Sequence, residues 1–183
     1  MMLSPMSISP KGPRTKRAHC LPLLNPRRTV NTDAAYVAGL IDGEGCIHIE
    51  KSQRTTTTYR VRVSLGMSAP ALELLQEMQE RWGGVLYQLR PETEKWAAAW
   101  TWYTWGDSAA KLLRHMLPYL RLKRAQAEVG LAVEAVRDAL PRRKNGNAKW
   151  DEASREACEE LKQRMHRLNQ KGPRARAQNA GTA

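Results

Sequence analysis

The sequence predicts an α+β fold, an αββαββα core followed by additional C-terminal helices. Three observations lead there. Apolar residues recur at helical spacing in some stretches and at every second position in others, the two patterns alternate as helix, two strands, helix, two strands, helices, and no segment repeats. The 183 residues suit one compact domain, drawn over residues 33–169, between a leader of residues 1–32 and a tail of residues 170–183.

The first helix is expected from about Asp33 to Asp42, with Thr32 as its cap. From Cys46 to Ser52, Ile47 and Ile49 alternate with His48, Glu50 and Ser52, which is the period of a strand. After a polar loop, Tyr59, Val61, Val63 and Leu65 fall on one face of a second strand and Arg60, Arg62 and Ser64 on the other, so the two strands share a dry face and a polar one. Ser68 is a cap and Pro70 a first-turn residue for a helix carrying Ala71, Leu74, Leu75, Met78 and Trp82, which Gly83 and Gly84 stop. Strands follow over Val85 to Arg90 and Trp96 to Trp105. Facing in the latter stays open, with Trp100 and Trp102 on one side and Thr101, Tyr103 and Trp105 on the other. Ala109, Leu112, Leu113 and Met116 mark a helix that Pro118 ends. Leu122, Ala125, Val129, Ala132, Val133, Val136 and Leu140 mark a longer one, and a last helix spans about Trp150 to Leu168.

Thirty Lys and Arg stand against eighteen Asp and Glu, a formal net charge of +12, which is the electrostatic footprint of a nucleic-acid partner. The leader has no acid before Asp33 and carries five prolines among its basic residues, so disorder is expected there and in the tail from Lys171. The prolines count against an organelle transit peptide, which needs an amphipathic helix. Cys20, Cys46 and Cys158 form no Cys-x-x-Cys pair, which argues against a disulfide scaffold or a zinc knuckle. No apolar run reaches the roughly 20 residues that span a bilayer. These features describe a soluble intracellular protein with no membrane partner, in the cytoplasm, the nucleoid or an organelle.

The densest signal is Tyr36-Val37-Ala38-Gly39-Leu40-Ile41-Asp42-Gly43-Glu44-Gly45. Ala38 and Gly39 lack bulk, so a helix carrying them can approach a second helix closely while Leu40 and Ile41 seal the contact. Gly43 and Gly45 then end the helix, glycine being suited to a left-handed terminus, and Glu44 projects from the break beside Asp42. The decapeptide resembles the defining motif of the LAGLIDADG homing endonuclease family, with Val37 for the first leucine, Gly43 for alanine and Glu44 for the last aspartate. The order of elements from about Asp33 to Leu140 is similar to that family's core. The resemblance implies a curved antiparallel four-stranded sheet and, for a chain with one motif, a homodimer that cuts double-stranded DNA with Mg²⁺ or Mn²⁺ at a long, roughly palindromic site.

Carried onto this chain, the resemblance implies Glu44 as the catalytic, metal-binding acid and Gly43 as the donor of a metal-binding carbonyl. It implies Ala38 and Gly39 as the dimer interface, where packing of two copies brings both acids to the two-fold axis. Asp42 is expected to cap and orient the turn. Pro118-Tyr119-Leu120-Arg121-Leu122-Lys123-Arg124 is similar to the family segment that carries a basic residue to the cleavage site, with Lys123 in the catalytic role. Some members place a polar residue at the end of the second strand to hold water; Met67 or Ser68 falls there. DNA reading is expected on the polar sheet face, from His48, Glu50, Ser52, Arg54, Arg60, Arg62 and Ser64, with Arg60 or Arg62 pairing with guanine and Glu50 accepting from cytosine. His48 beside Cys46 is too sparse for a metal site. The rival reading is a non-cleaving binder on the same scaffold, a DNA-binding regulator or an intron RNA maturase.

Overall fold

The computed structural model describes residues 30–53 and 56–170. The disorder expected of the leader and the tail concerns residues almost wholly outside that range. The elements are α1 (Val30–Gly43), β1 (Gly45–Ser52), β2 (Thr58–Ser68), a 3₁₀ turn (Ala69–Ala71), α2 (Leu72–Trp82), β3 (Val85–Arg90), β4 (Ala99–Trp105), α3 (Gly106–Met116), α4 (Arg124–Ala139) and α5 (Glu152–Asn169). The strands form one antiparallel sheet in the order β1-β2-β4-β3. This is the αββαββα arrangement, α1 to α3, with two additional C-terminal helices, α4 and α5.

Strand alternation sets the two faces of the sheet. Ile47, Ile49, Tyr59, Val61, Val63, Leu65 and Trp102 are buried beneath the helices and merge there with Ile41, Leu112, Leu113, Val129 and Val133. The indole N–H of Trp102 donates to the carbonyl of Gly83 at 3.0 Å, which answers the facing of β4: Trp102 is core, and Thr101, Tyr103 and Trp105 lie on the opposite face. Gly130 brings α4 close to β2, since a Cβ there would stand 2.6 Å from Val61 Cγ2. Gly83 (φ 66°) and Gly84 (φ 96°) both take the left-handed backbone that ends α2.

One buried acid completes the ladder. β4 runs back along β2 as far as Arg62, opposite Trp105. The next amide, that of Val61, is taken instead by Glu134 Oε1 at 2.7 Å, and Arg137 Nη1 pairs with Glu134 Oε2 at 2.6 Å. Burial pushes the Glu134 carboxyl up, and the Val61 amide and the Arg137 charge offset only part of that rise. Arg137 also bonds Asp107 and, at 3.2 Å, Asp138. Gly106 makes room for it, because a Cβ there would lie 2.9 Å from Arg137 Nη1.

The structure corrects several boundaries. Helix α1 begins at Val30, so the folded part starts before residue 33 and Thr32 lies inside the helix rather than capping it. Ser68 occupies a cap position before the 3₁₀ turn, but its side chain makes no capping hydrogen bond. Thr93 and Trp96 exchange backbone hydrogen bonds of 2.9 and 3.3 Å, a turn that holds Trp96 outside the sheet and starts β4 at Ala99. Leu122 precedes α4 and is 75% exposed. Helix α5 starts after Asp151, whose carboxylate accepts from the Ser154 amide at 2.8 Å, while Trp150 turns inward against Tyr59.

Two outcomes follow. Glu134→Leu leaves the buried Val61 amide without its acceptor and removes one of the three carboxylates around Arg137, and should cost about 1–3 kcal/mol in denaturant unfolding, whereas Glu134→Gln, which can still accept from Val61, should cost markedly less. Glu159 accepts from Lys51 at 2.8 Å and Tyr59 at 2.6 Å, contacts that hold its carboxyl down at about 2. A carboxyl depressed by folding stabilises above its unfolded value of 4.5 and loses that contribution as pH falls toward 2. The stability gap between the unmodified protein and Glu159→Gln should therefore be full at pH 6 and narrow steadily between pH 4.5 and 2.

Candidate active site and nucleic-acid interface

Helix α1 presents two different faces. Ala34, Val37, Ala38 and Ile41 point into the chain's own core, with Ala38 and Ile41 fully buried. Ala38 therefore packs within its own chain and is not open to a second copy. The exposed side carries Ala35, Gly39 and Gly43, four residues apart and hence in one row, beside Tyr36 at 53% exposure. At Gly39 and at Gly43 a Cβ would meet nothing within 4 Å. The chain's own packing does not require glycine at either place.

The helix does not end on left-handed glycines. Gly43 is its last residue and Gly45 the first of β1, and neither has a positive φ. Gly45 is needed for closeness, since a Cβ there would lie 2.8 Å from both Cα and Cδ1 of Ile41. The chain thus turns from helix into strand within one residue, Glu44, whose amide still donates to the Leu40 carbonyl at 2.8 Å and whose side chain is exposed.

Asp42 and Lys123 fasten this turn by a reciprocal clasp. The Asp42 carboxylate accepts from the Arg121 amide at 2.7 Å and the Lys123 amide at 2.9 Å, just before α4. In return Lys123 Nζ donates to the carbonyls of Ile41 at 2.8 Å and Asp42 at 2.5 Å, in the last turn of α1. Each charge sits at the helix end whose dipole attracts it, the anion at the N-terminus of α4 and the cation at the C-terminus of α1. Burial opposes ionisation of Asp42, but the amides of Arg121, Lys123 and Leu122 and the charge of Lys123 outweigh it and hold the carboxyl below its ordinary value. Lys123, some 80 residues downstream, is thereby held within a turn of Glu44. Asp42 holds the turn through the amides of Arg121 and Lys123 that precede α4, rather than by capping its own helix.

Among the described residues no group of three or more His, Cys, Asp or Glu could hold a metal ion. The donors at the end of α1 are of the hard oxygen type that Mg²⁺ and Mn²⁺ accept. Both oxygens of Asp42 serve amides, which leaves Glu44 and the backbone as the donors one chain brings. That set fits half of a divalent-metal site.

On the open face of the sheet the register sets His48 opposite Arg62, Glu50 opposite Arg60, and Ser64 between Cys46 and Tyr103. Glu50 grips both arginines, Arg60 Nε at 2.8 Å and Arg62 Nη1 at 2.5 Å. Burial opposes its charge, but the two guanidiniums prevail and keep the carboxyl below its usual value. Arg62 lies 3.7 Å above the Tyr103 ring and Arg60 5.1 Å above that of Trp105. His48 is held lower than usual, first by burial and then by the charge of Arg62. Its Nδ1 is 3.9 Å from Cys46 Sγ. Ser52 is exposed at the end of β1, and Arg54 lies outside the described residues. At the end of β2, Ser68 shares this face while Met67 packs on the core. Tyr103 and Trp105 were not singled out from sequence as parts of this surface, although the alternation of β4 already set them on one side together. A cleft of about 600 Å³ between β1 and the end of α5, lined in part by His48, Lys162, His166 and Asn169, lies apart from the Glu44 turn.

Residues 37–125 match the sequence model of the family described as LAGLIDADG endonuclease. No curated protein matches the chain. Among solved structures, the homing endonuclease I-CvuI in complex with its target in the presence of Ca is similar with a TM-score of 0.61 at 22% identity, over 78% of this chain and 85% of that one. The archaeal intron-encoded homing endonuclease I-Vdi141I complexed with DNA is similar with a TM-score of 0.57 at 14% identity, over 79% and 89%. At these identities the likeness establishes the fold.

The clasp gives a direct prediction. Asp42→Asn keeps one carbonyl acceptor and loses the charge, so one of the two amides loses its partner. Hydrogen exchange at Arg121 and Lys123 should accelerate by about tenfold or more, with a loss of about 1–3 kcal/mol in stability.

Proposed function

Because the chain belongs to the LAGLIDADG endonuclease family, we propose that it is a site-specific endonuclease of double-stranded DNA that acts as a homodimer and uses Mg²⁺ or Mn²⁺. The observation that carries this reading is the open row of Ala35, Gly39 and Gly43, which ends at the exposed Glu44. Glycines that their own chain leaves in open space serve close approach by another helix. Pairing two copies along this row joins two half-sites, each with one Glu44 carboxylate and one Gly43 carbonyl. A divalent ion bound there supplies Lewis-acid stabilisation of the phosphate and a water of lowered pKa. Lys123, as the catalytic cation, sets its positive charge against the negative charge that develops on the phosphate, while its amide and ammonium hold the turn.

The two-fold axis of such a dimer makes the target roughly palindromic. The polar sheet faces, carrying His48, Glu50, Ser52, Arg60, Arg62 and Ser64, then lie in the major groove of the two half-sites, and Arg54 is proposed to read DNA with them. The relatives I-CvuI and I-Vdi141I, whose structures hold DNA or a target, support this reading.

Digestion of a randomised duplex library in Mg²⁺ tests it. The unmodified protein should yield cut ends at one sequence, while Glu44→Gln should enrich that sequence by binding and cut nothing. Enrichment without cut ends from either protein would make this a non-cleaving binder. Gly39→Leu should sediment as a monomer and lose cleavage, and a monomer formed by the unmodified protein at micromolar concentration would contradict the dimer.

A further inference from the structure

We propose that Glu50, Tyr103 and Trp105 are specificity-determining positioning residues: they hold Arg60 and Arg62 as one cluster that accepts G·C pairs and resists capture by the phosphate backbone. The inference rests on the reading of the sheet face as a duplex-DNA surface and deepens it. Tyr87, Tyr103 and Trp105 form a continuous run of rings, with centroids 6.0 Å apart for the first pair and 5.4 Å for the second. The two arginines lie over Tyr103 and Trp105, so the rings serve as seats for the guanidiniums. Glu50 ties the two guanidiniums together with both of its oxygens. Arg62 Nε, buried in the cluster, has no hydrogen-bond partner.

Any DNA group that engages these arginines competes with Glu50. A phosphate can take a guanidinium, but it strands the Glu50 carboxylate beside a negative backbone, which is unfavourable. A G·C pair satisfies both sides at once, because guanine O6 and N7 accept from an arginine while cytosine N4–H donates to the carboxylate. Glu50 thus lowers affinity for arbitrary DNA and widens the gap to the correct site, specificity gained through a repulsive element. The rings restrict the arginines to poses from which this exchange can occur.

The test measures binding to the sequence enriched from a randomised duplex library and to a scrambled duplex, both in Ca²⁺ and across a salt series. Glu50→Gln should bind scrambled DNA more tightly, by about fivefold, steepen its salt dependence, and lower the ratio between the two duplexes by about tenfold. Tyr103→Leu should weaken binding to the enriched sequence by about tenfold, and Tyr103→Phe, which keeps the ring, should restore it. An unchanged ratio in Glu50→Gln, or equal weakening on both duplexes, would overturn the proposal, as would failure of Tyr103→Phe to rescue. Thermal unfolding of each variant separates misfolding from these effects. Cleavage in Mg²⁺ is scored separately: a shifted ratio without cleavage leaves this inference standing and removes the nuclease, and absence of duplex binding by the unmodified protein removes both.

Discussion

The reciprocal clasp between Asp42 and Lys123 is the constraint on which the rest of the site depends. A helix that ends by running straight into a strand leaves its last carbonyls to be satisfied from elsewhere. Here Lys123 satisfies two of them, while Asp42 supplies the same service to the amides that precede α4. Each side chain also meets the favourable pole of the opposite helix. The clasp holds the backbone turn from which Glu44 projects, sets Lys123 at the end of α1, and ties α1 to the segment that precedes α4.

The sheet face follows a comparable logic of shared charge. Arg60 and Arg62 bring the positive potential that draws a polyanion, yet neither is left loose, because Glu50 and the rings beneath them take part of their bonding capacity. His48, lowered by burial and by Arg62, adds a polar group whose neutral form is favoured there. On the proposed reading, overall charge draws DNA to the surface, and local pairing decides which sequence can replace the internal partners.

The sequence made the order of elements legible because period and punctuation agreed: alternation in β1 and β2, helical spacing in α2 and α3, and the Gly83-Gly84 stop all found their places. What stayed hidden was set by tertiary geometry. Ala38 and Gly39 are neighbours in sequence and equally small, but their directions differ by about 100° around the helix, so one enters the core and the other faces outward. Gly45 is required by the bulk of Ile41, which no turn rule reveals. Glu134 is absent from the apolar positions that mark α4, and only the early end of β4 opposite Arg62 explains why a buried acid is wanted there. The Tyr103 and Trp105 seats needed the register of β4 on β2 before they could be seen under the two arginines.

The proposed dimer completes one active site from two copies of α1 through both Glu44 residues. It is tested most directly with mixed dimers, assembled from one unmodified and one Glu44→Gln protomer carrying different affinity tags, on a plasmid bearing the library-enriched sequence in Mg²⁺. If the two carboxylates share the metal site, the mixed dimer binds as tightly as the unmodified dimer and yields no linear plasmid under conditions where the latter linearises it fully. A mixed dimer that linearises the plasmid at the unmodified rate would contradict the claim.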